Sequence, residues 1–394
     1  MSHATTSPTS SGYLRAEDCH LEDLLAIIGA GTDVAGYPHA ESVEQGVLVY
    51  DAAALRDTMT DDDARRGLRA ELARALAHGP GIVVFHGAFE HDVVDRVSEA
   101  FERIIAQEKA RGGPAGDHFA APGANDRVWN ALEKLAVAAP EAFVDYYAND
   151  VVALAASSWL GPGYQVTSQG NVVNPGGAGQ TVHRDYHLGF QSPKVSSEFP
   201  AHVHALSPVL TLQGAVAHCD MPVESGPTLY LPHSQKYPHG YLAYWLPEFQ
   251  EFFASHHVQL PLGKGDAVFF NPALFHAAGT NRTTQVRRMA NLLQVSSAFG
   301  RAMETVDRRR VVEAVYPVLL ARKGAGMPPA RVGDVVAACA EGYAFPTNLD
   351  RDQPVNGMSP ATQADLVRRA LGEAITPEEL SDRLAAQELR TRSH

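Results

Sequence analysis

Cysteine is scarce: Cys19, Cys219 and Cys339 are the three in 394 residues, and they stand far apart. An odd, scattered set supports neither a disulfide framework nor a cysteine-held zinc site, which leaves buried thiols as the reading. Long apolar runs are missing as well. Nothing approaches the roughly 20 residues of a membrane-spanning helix, and residues 1–12, rich in Ser, Thr and His, lack the basic and apolar stretches of a secretory signal. These absences predict a cytoplasmic protein with a loose tail over residues 1–12. Positive charge is also short. With 32 Lys and Arg against 45 Asp and Glu the net charge is −13, so phosphate backbones and anionic lipid surfaces are repelled, and neither nucleic acid nor membrane is an expected partner.

What is present is an ordinary globular composition, 45% apolar and 20% charged, in a chain long enough to bury a large core. Asp61, Asp62 and Asp63 suit the positive start of a helix, Leu68, Leu72 and Leu76 share one of its faces, and Gly79-Pro80 stops it. Gly81-Ile-Val-Val-Phe85 reads as a short buried strand. Val94, Val97, Phe101, Ile104 and Ile105 define a second helix, with Gly112-Gly113-Pro114 beyond its end. Further helices are expected from Val128 to Leu135 and from Glu141 to Leu160, while the region before residue 61 shows no strong strand pattern.

Between residues 164 and 299 the pattern changes to short β-branched and aromatic runs broken by Gly, Pro, Asn and Asp. That is the signature of an antiparallel sandwich or jelly roll. Strands are predicted near 164–173, 181–190, 208–218, 228–231, 257–262, 266–270 and 287–298. From Arg301 onward the chain becomes helical again, with Val311, Val312, Val315 and Val318 in one segment and Leu366, Ala370 and Leu371 in another. The fold class predicted is therefore α+β: a double-stranded β-helix core, cupin-like, with N-terminal and C-terminal helices packed around it.

A histidine two residues before an acid occurs four times, where composition alone gives about two. Context separates them. His20-Leu-Glu22 and His39-Ala-Glu41 precede the strand-rich region, and His218-Cys-Asp220 leaves an apolar run for the turn-rich Met221-Pro-Val-Glu-Ser-Gly-Pro227. The fourth lies in Gln180-Thr-Val-His-Arg-Asp-Tyr-His-Leu-Gly-Phe190, where a strand puts His183 and Asp185 on one face. His276, which follows the apolar Asp266-Ala-Val-Phe-Phe270, supplies a distant third ligand. Two histidines and one carboxylate make a metal face that leaves positions open on Fe(II). His218 and Asp220 stay open as the competing pair.

Four stretches resemble the phytanoyl-CoA dioxygenase family of Fe(II)/2-oxoglutarate-dependent oxygenases: Gln180-Thr-Val-His-Arg-Asp-Tyr-His; Cys219-Asp-Met-Pro-Val-Glu-Ser-Gly-Pro-Thr-Leu-Tyr-Leu-Pro-His-Ser; Leu262-Gly-Lys-Gly-Asp-Ala-Val-Phe-Phe; and His276-Ala-Ala-Gly-Thr-Asn-Arg-Thr-Thr-Gln-Val-Arg-Arg. They fall within residues 180–288, a little over a quarter of the chain, in the family's order, and place an oxygenase domain at 13–300 with its jelly-roll core at about 164–300; a helical extension, 301–394, is expected to pack on the same domain. The chain departs from the family's Pro-Gly-Ser-His turn, reading Pro232-His-Ser-Gln235.

The resemblance implies iron held by His183, Asp185 and His276, with 2-oxoglutarate as co-substrate and its far carboxylate on Arg287. A planar guanidinium suits that grip better than lysine. It implies consumption of O2, decarboxylation of 2-oxoglutarate to succinate and oxidation of a C–H bond in a small organic substrate, with ascorbate as reductant in vitro. Asp185 favours hydroxylation, because related halogenases carry a small residue there. Gln169 and Asn171 share one strand face and are candidates to reach the cofactor, and Tyr186, His187 and Phe190 are candidates for the substrate pocket. A non-catalytic metal-containing β-sandwich is the competing class, and a buried arginine suited to a dicarboxylate is what separates the two. The chain is expected to work as a monomer or homodimer.

Overall fold

The computed structural model describes residues 12–59, 61–112, 123–355 and 357–394. The tail expected over residues 1–12, Gly12 excepted, and the Gly113-Pro114 helix stop lie outside them. Ten strands are present: β1 (Ser42–Glu44), β2 (Val47–Asp51), β3 (Ile82–His86), β4 (Asn125–Val128), β5 (Gln165–Val173), β6 (Thr211–Ala217), β7 (Leu229–Leu231), β8 (Ala267–Phe270), β9 (Phe275–Ala277) and β10 (Arg288–Ser296). Eight of them form one sheet in the order β1, β2, β3, β8, β6, β10, β5, β4, antiparallel throughout except for the parallel pair β2 and β3. Facing it, β7 pairs with β9, and bridges from His183 to His276, Tyr230 to Val258 and Met221 to Leu262 widen this second layer. The predicted jelly roll is the fold.

The large sheet has two different faces. Its outer face, through Val166, Val172, Leu212, Val216, Phe269, Met289, Leu293 and Val295, joins one apolar core with Val97 and Phe101 of the helix His91–Ala110 and Val311, Val315 and Leu319 of the helix Arg308–Gly324. Its inner face packs Val47, Val49, Ile82, Val84, Val268 and Phe270 against Tyr230, Leu260 and Leu274 of the opposite layer. A cavity of about 920 Å³ opens between the layers. Among the described residues, no helix is long and apolar enough to cross a membrane.

Local chemistry explains most elements. Asp61 caps the helix Asp62–Ala77 by accepting from the N–H groups of Asp63 and Ala64, and Leu68, Leu72 and Leu76 are buried along it. Several expectations need correction. No strand forms over 181–190 or 257–262: the first makes one isolated bridge, His183 to His276, before Tyr186 and His187 take φ of +55° and +30°, and the second makes isolated bridges at Val258 and Leu262. Helix was expected from Val128, yet Asn125–Val128 is the edge strand β4 and the helix is Ala131–Ala138. The single helix expected from Glu141 to Leu160 is two, Pro140–Tyr147 and Asp150–Leu160, the second capped by Asn149. β1 and β2 were missed. The run Val47-Leu-Val-Tyr50 is buried on both faces, so it shows no alternation to read.

Candidate metal and co-substrate centre

His183, Asp185 and His276 converge. Each offers a ligand atom, and these atoms lie within 4.8 Å of one another; among the described residues this is the one such group of three. His276 sits on β9, and its backbone exchanges hydrogen bonds with that of His183, N to O at 2.9 and 3.2 Å. The Asp185 N–H donates to the Pro272 carbonyl at 2.9 Å. Two antiparallel segments thus fix all three side chains.

The orientation of the imidazoles fits a cation. Nδ1 of His183 lies 2.8 Å from the Thr181 carbonyl and Nδ1 of His276 lies 2.8 Å from the Leu274 carbonyl. A carbonyl can only accept, so each Nδ1 carries the proton and each Nε2 presents a lone pair. Those lone pairs face the Asp185 carboxylate, His276 Nε2 at 3.3 Å from Oδ2 and His183 Nε2 at 3.8 Å from Oδ1. Lone pairs turned on a carboxylate repel unless a cation lies between them, so the donor set suits a divalent metal with open positions. Burial opposes ionisation of Asp185, yet its carboxyl is held far below its ordinary range by positive charge on the side of His183 and His276, the place a bound cation would take once the imidazoles are neutral, and by the amide of Gln213, which donates to Oδ2. Burial, with His276 adjacent, pushes His183 down and keeps it neutral.

The competing pair does not converge. His218 is buried, with Nδ1 2.9 Å from Ser98 Oγ and Nε2 3.0 Å from Tyr146 OH, and burial pushes its pKa down to about 3. Asp220 instead accepts the Lys264 N–H at 2.9 Å. We expect Asp220→Ala to leave Fe(II) affinity within about twofold of wild type by metal titration; a loss of roughly tenfold, the scale of a ligand-supporting group, would restore His218 and Asp220 as candidates. His39, also paired with an acid in sequence, bonds Glu71 at 2.6 Å, a carboxylate that Tyr50 also reaches.

Arg184, between two ligands in sequence, points to the opposite side and is 2% exposed. Its Nη2 donates to the carbonyls of Ser234 (2.6 Å) and Tyr237 (3.0 Å), and its guanidinium lies between the rings of Tyr241 and Phe275. The hydroxyl of Ser234 in turn accepts the N–H of Phe275, the neighbour of His276. One buried cation therefore ties together the backbones that carry His183, Asp185 and His276. Sequence reading passed over it. A Cβ at Gly240 would collide with its guanidinium. Gly240→Ala should cost roughly 1–3 kcal/mol of stability by overpacking and weaken metal binding, read from thermal melts and metal titration; an unchanged melting temperature would show that the guanidinium gives way freely. At the departure from the family's turn, His233 stands at φ +70°, which glycine adopts without strain.

The arginines are reversed from expectation. Arg287 is half-exposed and pairs with Glu102 at 2.8 Å and Asp126 at 3.7 Å, so it faces away from the cavity. Arg288 lines the cavity, 7% exposed, and donates to the carbonyls of Ser225 (3.1 Å) and Gly279 (3.2 Å). No acidic partner within ion-pair distance is present among the described residues. Burial lowers its pKa to about 10.

Gln169 and Asn171 line the cavity from β5: Gln169 donates to Gln294 and Glu304 at 3.3 Å, and Asn171 accepts from Arg127 at 3.3 Å. Tyr186 lines it too, its hydroxyl donating to Met303 Sδ at 3.2 Å, and Phe190 stands 54% exposed on its wall. His187 is not on the wall; the positive φ at 186 and 187 turns its ring toward Thr211, 3.5 Å away. Gln213, Met303 and Glu304 were missed, because their roles depend on contacts across the sheet and beyond β10.

No curated protein matches this sequence. Among solved structures, the chain is similar to the non-heme alpha ketoglutarate dependent epimerase SnoN from nogalamycin biosynthesis (19% identity over 60% of this chain and 82% of that one, TM-score 0.39). It is likewise similar to HygX from Streptomyces hygroscopicus, solved with nickel, 2-oxoglutarate and hygromycin B (15%, 58% and 87%, 0.42), and to AviO1 from Streptomyces viridochromogenes Tue57 (20%, 59% and 97%, 0.42). All three likenesses are loose. In sequence, the family model Phytanoyl-CoA dioxygenase (PhyH) matches residues 77–289. That span is more than half of the chain and carries His183, Asp185, His276 and Arg288, so the protein belongs to the phytanoyl-CoA dioxygenase family of iron- and 2-oxoglutarate-dependent oxygenases.

Proposed function

We propose that this enzyme hydroxylates a C–H bond of a small organic molecule, using Fe(II) and O2 and converting 2-oxoglutarate to succinate and CO2, with ascorbate sustaining the iron in vitro. The observation that carries the reading is one cavity holding both His183, Asp185 and His276 and the buried, unpaired Arg288. A guanidinium left in an apolar site without an anion is costly, and the far carboxylate of a dicarboxylic acid relieves that cost. A protein that merely stored a metal would have no use for it.

The bound iron would supply the oxidising chemistry. His183 and His276 would hold it through Nε2, and Asp185 would add the anionic ligand, its carboxylate steadied by the Gln213 amide. Arg288 would orient 2-oxoglutarate from the deep end of the cavity, while Tyr230, which lines the same cavity, helps wall off water there. Asp185 fills the position that halide would need, which supports hydroxylation. Incubation with Fe(II), ascorbate, O2 and 2-oxoglutarate should give slow succinate formation without added substrate; yields no higher than those of His183→Ala would overturn the proposal.

A further inference from the structure

Resting on the oxygenase reading, we propose that the primary substrate is a neutral, hydroxyl-bearing ring compound of the glycoside or polyol type, and not a CoA thioester or another phosphorylated molecule. The outer cavity is lined by two kinds of group. The first is aromatic: Trp245, 45% exposed, is stacked on Tyr244, and Phe190, 54% exposed, packs edge-on against Tyr186. Large aromatic faces left open to a cavity suit the C–H face of a ring.

The second kind is the carboxamide. Asn125, Asn171, Gln169, Gln180 and Gln213 all line the cavity. Much of their hydrogen-bonding capacity is unspent. Oε1 of both Gln169 and Gln213 has no partner among the described residues although the residues are 1% and 7% exposed. An amide that donates and accepts matches a hydroxyl, which does the same.

Among the described residues, the charged side chains lining the cavity are Arg127, Arg184, Asp185 and Arg288, and no lysine and no glutamate line it. Asp185 is one of the three candidate metal ligands, Arg288 is buried against the carbonyls of Ser225 and Gly279, and Arg184 spends its guanidinium on the carbonyls of Ser234 and Tyr237. Arg127 lies over the Trp129 ring with its Nε on Asn171. Phosphates call for several convergent cations and an ammonium group for a carboxylate; among the described residues this wall has no lysine and no carboxylate besides Asp185, in a chain of net charge −13.

The test is isothermal titration calorimetry on the full chain loaded with Fe(II) and 2-oxoglutarate under anaerobic conditions, using phenyl β-D-glucopyranoside, phenyl phosphate and acetyl-CoA as probes. The glucoside should bind saturably and more tightly than either anion, with affinity falling about tenfold or more in Trp245→Ala and in Asn125→Leu. Tighter binding of phenyl phosphate or acetyl-CoA, absence of glucoside binding, or binding indifferent to both substitutions would overturn the proposal. Succinate formation without any probe is measured separately. Its absence beside normal glucoside binding would sink the oxygenase reading alone, and its presence without glucoside binding would sink the substrate class alone.

Discussion

Arg288→Ala is expected to raise the Michaelis constant for 2-oxoglutarate by well over about tenfold, while Arg287→Ala changes it by less than about twofold. Arg288 opens β10 and Arg287 immediately precedes it, and the two side chains point to opposite sides, one to the cavity and one to Glu102. Arg288 is buried in the cavity and spends one nitrogen on two carbonyls, which leaves the rest of its fork for a carboxylate. Losing a buried charge-assisted contact of this kind costs roughly 2–5 kcal/mol, more than the 1.4 kcal/mol or so that makes tenfold. Arg287 contributes an exposed ion pair to Glu102, worth less than about 1 kcal/mol and remote from the cavity. A 2-oxoglutarate titration of the two variants decides the matter, and an equal or reversed effect would remove Arg288 from the co-substrate site.

Asp185→Ala and His183→Ala are expected to abolish succinate formation and to weaken Fe(II) binding by at least about 100-fold, with the metal-free fold preserved. Groups that merely support ligands already account for 10- to 100-fold in metal affinity, and a direct ligand sets at least the upper end. Asp185 is moreover the one anion in the group of three. The fold should survive, because neither residue belongs to the apolar clusters that join the layers, and without metal Asp185 leaves the two Nε2 lone pairs facing a negative charge. Metal titration and circular dichroism of the metal-free variants are the measurements. Wild-type succinate yield per iron in either variant would contradict the assignment, and loss of the folded spectrum would mean that these residues hold the barrel together.

Much of this molecule could be read before folding was considered. Turn residues punctuating short β-branched runs marked β5, β6, β7, β8 and β10 within a few residues, because alternation and Gly or Pro breaks are local properties. The order of His183, Asp185 and His276 was legible for the same reason. What failed was long-range. β2 and β4 gave no usable pattern, since one is buried on both faces and the other is a short edge strand defined by its pairing to β5.

The two arginines show where sequence stops. Alternation established that one of them faces inward, but which one depends on what lies on each side of the sheet. Met289, Leu293 and Val295 are the bulkier set, which bulk alone would send to the barrel interior; in the structure they pack outward into the helical layer, where close packing rewards volume. Arg288, Ala290, Leu292 and Gln294 face the cavity, because an interior that must admit a co-substrate and a substrate is lined by smaller and polar side chains rather than filled. The candidate ligands His183, Asp185 and His276, their order and the jelly roll were written in the sequence. The inward arginine, the Gln213 contact to Asp185, the Arg184 support and the approach of Met303 to Tyr186 were decided only when the helices covered one face of the sheet and left the other to hold a cavity.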